Sequence, residues 1–151
     1  MQHKIIKFIF FIFLFKSSLS KNINFDNTNL LLKVKNFSNL NGKLVVAIYN
    51  DPKNFNSNTV NYRDTTLVVK DSVMLIKFKD IDPGSYAISL YHDENGNGKI
   101  DMGGIFNLFP REGFGFSKNN FNGISEPKFN DCKFLIKHGN HIEIEIDLVY
   151  I

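Results

Sequence analysis

The segment from His92 to Asp101, HDENGNGKID, gathers side chains whose types and spacing could bind a metal ion. Numbered from Asp93, side chains that carry oxygen fall at positions one, three, five and nine, as Asp93, Asn95, Asn97 and Asp101, with Gly98 at position six. This spacing matches the first half of an EF-hand-type calcium loop, in which alternate side chains point inward and a glycine makes the bend. The pattern therefore predicts a calcium ion in this loop.

The rest of the coordination shell must come from backbone and from outside the loop. Lys99, at position seven, would contribute its carbonyl, and Ile100, at position eight, would point inward as a small anchor. Gly104 stands at position twelve, where a bidentate carboxylate is usual. We expect the nearest acidic residue, Glu112, to close the shell, with Glu126, Asp131, carbonyls or water as alternatives. Only two ligand positions of the loop carry a carboxylate, Asp93 and Asp101, which predicts weak binding, on the order of 10⁻⁴ to 10⁻³ M.

A simpler interpretation of the loop is a pair of turns. Asn95-Gly96 and Asn97-Gly98 are both turn dipeptides, and in a hairpin connection the aspartates would face solvent. This interpretation does not account for the spacing of Asp93 and Asp101, so calcium is the stronger hypothesis. His92, which precedes the loop, is either a hydrogen-bond partner of a ligating carboxylate or an ordinary histidine at a strand end.

The first twenty residues predict export. Lys4 and Lys7 precede the apolar run Phe8 to Phe15, and small residues follow. This order is typical of a secretory signal peptide, and the run is well short of the roughly 20 residues that span a membrane. We expect cleavage of 1–20, a periplasmic or secreted protein, and no transmembrane segment in the mature chain.

Charge and length limit the class of protein. Three of the 18 basic residues, Lys4, Lys7 and Lys16, lie in 1–20, so residues 21–151 carry 15 basic and 15 acidic residues. No cluster of Lys and Arg interleaved with aromatic residues is present, which argues against nucleic-acid binding. The length of 21–151 suits one domain with its own core. Cys132 is the only cysteine, so no intrachain disulfide can form.

Apolar residues recur with the period of two that is typical of half-buried strands. In HIEIEIDLVY, residues 141–150, Ile142, Ile144, Ile146 and Leu148 share one face. Similar patterns occur in 30–34, 65–69, 73–79, 85–91 and 132–137, and 44–49 is apolar on both faces, as a central strand would be. Turn residues separate these segments, and at Asp82-Pro83-Gly84 we expect a type II turn with positive φ at Gly84. The sequence predicts an all-β protein, an antiparallel β-sandwich of about seven strands such as an immunoglobulin-like domain.

Residues 102–130 predict one long irregular loop, because they show no strand alternation. The apolar residues in it are Ile105, Phe106, Leu108, Phe109, Phe114, Phe116 and Phe121. Either they form a satellite core over the calcium loop, or Phe106, Phe109, Phe114 and Phe116 bind an unknown protein, glycan or envelope surface. The second possibility defines an alternative function, a calcium-independent envelope or adhesive domain that binds through the Phe-rich loop 102–125.

Three segments carry a family resemblance: PGSYAISLYHDENGNGKID (83–101), PREGFGFSKNN (110–120) and FNDCKF (129–134). In this order they resemble the exported bacterial proteins of domain of unknown function 2141. The resemblance implies a small secreted β-sandwich, of the transthyretin (prealbumin) or carboxypeptidase-regulatory kind, and no agreed activity. Phe114 and Lys118 stand where the family usually has Tyr and Asn, which affects the geometry expected near Glu112.

An enzyme is the weakest of the hypotheses. The Asp93-x-Asn95 pair after an apolar strand is similar to haloacid-dehalogenase phosphatases, but Asn95 cannot serve as the general acid, and those enzymes need a parallel α/β core. Alternation points Cys132 inward, and a buried thiol is inert. His138 and His141 are expected to face solvent at a hairpin. We therefore predict no hydrolase or other catalytic site, and a binding or structural role.

Overall fold

The computed structural model describes residues 28–57, 60–104, 106 and 109–151. The predicted leader, 1–20, lies outside them. The strands are β1 (Thr28–Lys35), β2 (Lys43–Tyr49), β3 (Arg63–Val68), β4 (Met74–Lys79), β5 (Gly84–Asp93), β6 (Met102–Gly103), β7 (Phe109–Pro110), β8 (Phe114–Phe116), β9 (Phe134–Ile136) and β10 (Ile142–Asp147). A 3-10 turn covers Ser117–Asn119, and the one-turn helix α1 covers Phe129–Cys132.

The strands form two main sheets. One has the order β10-β1-β4, and the other has the order β3-β2-β5-β8, with β9 also paired to β5. β6 and β7 form a separate small hairpin. The prediction of an all-β, sandwich-like fold is confirmed, and each predicted strand overlaps a strand of the structure. Pairing is antiparallel except between β1 and β10, which run parallel. The prediction that 102–130 is one irregular loop is partly wrong, because this segment contains β6, β7, β8 and the first half of α1.

The main core lies between the two sheets and includes many of the residues that the period of two selected, together with Ile81, which lies outside the strands. β1, β2 and β5 supply Leu30, Leu32, Val34, Leu44, Val46, Ile48, Tyr86, Ile88 and Leu90, all buried. Burial of each such side chain stabilises the fold by about 1.5–3 kcal/mol. β2 lies between β3 and β5. It is apolar on both faces because Leu44, Val46 and Ile48 enter the main core, whereas Ala47 and Tyr49 pack in a second cluster on the other face.

A second cluster packs against β2 and β5 and consists of Tyr49, Ala87, Phe114, Phe116, Phe129 and Cys132. β8 brings Phe114 and Phe116 there, since it pairs with β5 from Ser89 to Tyr91. The predicted satellite core is present only in part. Phe114, Phe116 and Phe121 belong to it, Phe106 and Phe109 are exposed, and Ile105 and Leu108 lie outside the described residues. None of the described members comes from the loop 93–101, so the cluster does not cover that loop as predicted. The prediction that Phe114 and Phe116 contact a partner is wrong, because both rings are buried.

Two local predictions also need correction. Gly84 does not have a positive φ. It begins β5, and a Cβ there would lie 3.3 Å from the ring of Tyr86, whose hydroxyl donates to the carbonyl of Asp82 at 2.8 Å. This bond resembles the tyrosine corner of immunoglobulin-like sandwiches. Cys132 is buried as predicted, but it lies in α1 and not in a strand.

Candidate metal-binding loop

β5 delivers Asp93 to the start of the loop in a fixed position. Asp93 is the last residue of the strand, pairs with Lys43 of β2, and is 1% exposed. Its Oδ1 accepts the backbone N–H of Asn97 at 3.0 Å, and its Oδ2 accepts that of Gly98 at 2.9 Å. The buried carboxylate thus lies inside the curl of the loop, where backbone donors stabilise its charge.

The two asparagines and two glycines produce the curl. Asn95 Oδ1 accepts the backbone N–H of Asn97 at 2.9 Å, and Asn97 Oδ1 accepts that of Lys99 at 2.8 Å, so each closes an Asx turn. Gly96 and Gly98 have φ of 74° and 77°. A Cβ at either position would meet nothing within 4 Å, so glycine is required there by the left-handed backbone and not by lack of space.

Asp101 completes the group of four side chains. Its Oδ2 accepts Asn95 Nδ2 at 2.6 Å, and its Oδ1 accepts Asn97 Nδ2 at 3.0 Å. Asp101 and Asp93 are therefore linked through Asn97 and do not diverge into solvent. Two amide dipoles offset the charge of Asp101, and a cation among these oxygens would take over that role.

Glu112 joins the two ends of the loop from outside. Glu112 is only 5% exposed. Its Oε1 accepts the backbone N–H of Glu94, and its Oε2 accepts that of Asp101, both at 3.0 Å. Of the alternatives, Glu126 is exposed, and Asp131 accepts the N–H of Lys128 at the start of α1. Glu112 is thus beside the loop as predicted, and its role as a metal ligand stays a prediction.

Negative charge is concentrated where β5 enters the loop. Burial raises the pKa of Tyr91, and the charges of Asp93 and Glu112 raise it further. In the part of the chain that the structure describes, no three His, Cys, Asp or Glu side chains form a metal-binding group. A cation in this loop would therefore depend on amide and carbonyl oxygens as well as carboxylates, a donor set that suits calcium better than zinc.

The connection between β1 and β2 supports the loop from one side, which the sequence did not indicate. Ser38 Oγ and Asn39 Nδ2 donate to the carboxylate of Glu94 at 3.1 and 2.6 Å. Gly42, with φ of 67°, approaches so closely that a Cβ there would lie 1.9 Å from the carbonyl oxygen of Asp93. Asn41-Gly42 is a typical turn dipeptide, but only the fold shows what Gly42 contacts.

His92 is fully buried behind the loop and belongs to the same support. Its Nε2 donates to the carbonyl of Asn41 at 2.6 Å, and its Nδ1 lies 3.2 Å from the hydroxyl of Tyr150. The ring also packs edge-on against Phe37, with centroids 5.2 Å apart. His92 therefore joins three segments of the chain. Its hydrogen-bond partners are Asn41 and Tyr150, and neither is a predicted metal ligand.

The last turn of the loop leads directly into the β6–β7 hairpin. Ile100 is 36% exposed, so the prediction that it points inward as an anchor is wrong. The carbonyl of Asp101 accepts the N–H of Arg111 at 2.8 Å, and Met102 pairs with Pro110. The base of the hairpin is thus tied to position nine of the loop.

Comparison with known proteins gives one match. The model of the family described as "Uncharacterized protein conserved in bacteria (DUF2141)" matches residues 32–144, which include the loop, β2 to β9 and parts of β1 and β10. No curated protein and no solved structure matches the chain. None of the helices among the described residues is long and apolar enough to cross a membrane.

Proposed function

Since the chain belongs to this family of uncharacterised bacterial proteins, whose description names no activity, we propose from the loop itself that it is an exported calcium-binding β-sandwich module. The ion would be held by the side chains of Asp93, Asn95, Asn97 and Asp101 and by the carbonyl of Lys99, with Glu112 as the closing ligand. Its role would be structural or binding, and not catalytic.

The observation that carries this proposal is that four residues within nine come together through direct hydrogen bonds. The side chains of Asn95 and Asn97 donate to the Asp101 carboxylate, and the Asp93 carboxylate accepts the backbone N–H of Asn97. Each amide Oδ1 that accepts one backbone N–H keeps a second lone pair for a cation, and the carboxylates of Asp93 and Asp101 keep more than one. Calcium tolerates six to eight oxygen ligands in irregular geometry, so carbonyls and water can supply the remainder.

A binding role is favoured over catalysis because neither candidate nucleophile, Cys132 or Asp93, is in a reactive environment. Burial raises the pKa of the Cys132 thiol to about 11, so the thiolate that a nucleophile requires is scarce near neutral pH. Asp93, the residue that would attack in a phosphatase, is buried, and each of its carboxylate oxygens accepts a backbone N–H. Both observations support a module that holds ions or partners.

Export is part of the proposal and depends on the leader pattern of residues 1–20. A periplasmic or extracellular location fits the predicted affinity, because free calcium outside the cytoplasm is high enough to occupy a site of 10⁻⁴ to 10⁻³ M. Export is tested separately by detecting the protein in the periplasmic fraction and in the culture medium. Mass spectrometry of its N-terminus then shows whether residues 1–20 have been removed.

A thermal melt with and without calcium tests the site. At about 100 times Kd, calcium should stabilise the fold by roughly 2.7 kcal/mol, which raises Tm on the order of ten degrees in a domain of this size. Asp93→Ala and Asp101→Ala should abolish this shift, and Asp101→Asn, which keeps the amide contacts possible, should reduce it. Magnesium at the same concentration should give a smaller shift, since it demands a tighter octahedral shell.

Asp71→Ala provides the matched control, because Asp71 is an exposed aspartate outside the loop. It should leave the calcium shift unchanged. If the unsubstituted protein melts at one temperature in calcium and in chelator, the calcium proposal is wrong and the calcium-independent binding domain takes its place.

A further inference from the structure

Four exposed apolar side chains lie in the β6–β7 hairpin or just before it. They are Ile100, Met102, Phe106 and Phe109, which we call the apolar tip. Phe106 is 87% exposed, and its φ of 62° is a conformation that bulky residues rarely adopt. A ring exposed at this energetic cost, outside both core clusters, points to a contact beyond the chain.

The apolar tip is uncharged and is flanked by positive charges, as expected of a segment that contacts a lipid surface. From Met102 to Pro110 the sequence has no charged residue, and the two flanking cations, Lys99 and Arg111, are both exposed. A Cβ on Gly103 would lie 2.2 Å from Arg111 Nε, so the Arg111 side chain runs along the hairpin beside Phe109. Aromatic groups flanked by cations are the pattern of segments that enter the headgroup region of an anionic bilayer.

The short strands of the hairpin also favour a lipid surface over a folded partner. β6 and β7 have two residues each, and a stable protein complex buries roughly 800 Å² on each partner. A bilayer accepts a few apolar side chains without requiring a complementary surface.

The loop would control this contact through charge. Residues 92–112 contain four carboxylates, Asp93, Glu94, Asp101 and Glu112, against Lys99 and Arg111. The net charge of two negative units repels an anionic surface, and one calcium ion would cancel it. The hydrogen bonds of Asp101 to Arg111 and Glu112 fix the base of the hairpin to the loop, so the ion and the apolar tip would act at one place.

We propose that the apolar tip inserts into the surface of an anionic lipid bilayer and that calcium in the loop strengthens this insertion. The calcium dependence rests on the proposed function, whereas the insertion rests on the exposed side chains.

The absence of tryptophan from the chain allows a direct test. Phe106→Trp places a single reporter in the apolar tip, and Ile124→Trp places one at a site outside it that is 84% exposed. With calcium and phosphatidylcholine–phosphatidylglycerol vesicles, emission from Phe106→Trp should move to shorter wavelength and be quenched by brominated acyl chains. Ile124→Trp should show neither effect. In sedimentation, Phe106→Ser should lower partitioning into these vesicles by about tenfold or more, and Ile124→Ser should not.

Every other result of these experiments would contradict either the membrane insertion or its dependence on calcium. Equal quenching of both reporters, or none, shows that the apolar tip does not insert; if the calcium melt still shifts, the calcium proposal survives alone. A blue shift with calcium but without vesicles shows self-association in place of lipid binding. Insertion that is unchanged by chelator overturns the calcium coupling, and if the melt also fails to shift, the apolar tip stands without a calcium site.

Discussion

The carboxylate of Glu112 accepts the backbone N–H of Asp101 at 3.0 Å across eleven residues of sequence. Its other oxygen accepts the N–H of Glu94 at the same distance, so one buried side chain holds both ends of the loop. Glu112 therefore organises the loop through backbone contacts, whatever its role toward a cation.

Glu112→Gln tests this contact. The glutamine oxygen can replace only one acceptor, and its NH₂ group would face the other N–H, which loses its partner. We expect the free energy of unfolding to fall by about 1–3 kcal/mol in urea denaturation without calcium. Glu126→Gln, at an exposed position, should change it by less than about 0.5 kcal/mol. Equal stability of the two variants would show that Glu112 is not required.

The approach of Gly42 to Asp93 predicts a clash if a side chain is added. Gly42→Ala would place Cβ 1.9 Å from the carbonyl oxygen of Asp93 and would also strain a backbone at φ of 67°. Gly123→Ala, at φ of 83° with open space around it, should show the strain alone, about 1–2 kcal/mol. Gly42→Ala should cost more than this control in denaturant unfolding. A smaller or equal loss would mean that the loop moves away easily.

The aromatic residues of 102–125 should separate into two classes. Phe114→Ala removes a buried ring from the second cluster and should destabilise the fold by about 3–5 kcal/mol. Phe106→Ala removes an exposed ring and should change stability by less than about 0.5 kcal/mol. Chemical denaturation of both variants measures this difference, and similar losses would contradict the assignment of Phe106 to the surface.

A pH dependence follows from the contact between β1 and β10. Lys33, and then Lys35, hold the pKa of Glu145 at about 2, below its usual value of 4.5. Because the folded pKa is the lower one, the stabilisation is complete above pH 4.5 and is lost as the pH falls through about 2. The melting temperature of Glu145→Gln should depend less on pH between about 2 and 4.5 than that of the unsubstituted protein. Since the carboxylate is exposed, the effect should be small and should weaken in salt. Identical profiles would show that the ion pairs contribute nothing.

Cys132 should be unreactive in the folded protein. The pKa of the Cys132 thiol is raised to about 11, mainly by burial. The aromatic side chains of the second cluster also limit the access of reagents to the thiol. Reaction with a disulfide reagent near neutral pH should be slow in buffer and fast in denaturant, with one thiol titrated. Fast reaction of the native protein would place Cys132 at the surface.

Much of the fold was predictable because a strand alternates its side chains locally. Leu44, Val46 and Ile48 enter the main core wherever β2 pairs, since the period of two is a property of the extended backbone. The loop from Asp93 to Asp101 is similar in kind: its Asx turns and left-handed glycines form within nine residues, so spacing alone indicated that the oxygens meet.

Contacts between distant segments were not predictable in this way. Sequence placed Phe106 and Phe114 in one class of loop aromatics, yet β8 pairs with β5 and buries Phe114, whereas Phe106 stays exposed on its hairpin. Likewise, the bonds from Ser38 and Asn39 to Glu94 and the approach of Gly42 to Asp93 have no local pattern. The sequence by itself determined which residues alternate and which oxygens could gather; the tertiary structure decided what supports the loop and which rings remain outside, because packing across the sheets is set by partners far apart in the chain.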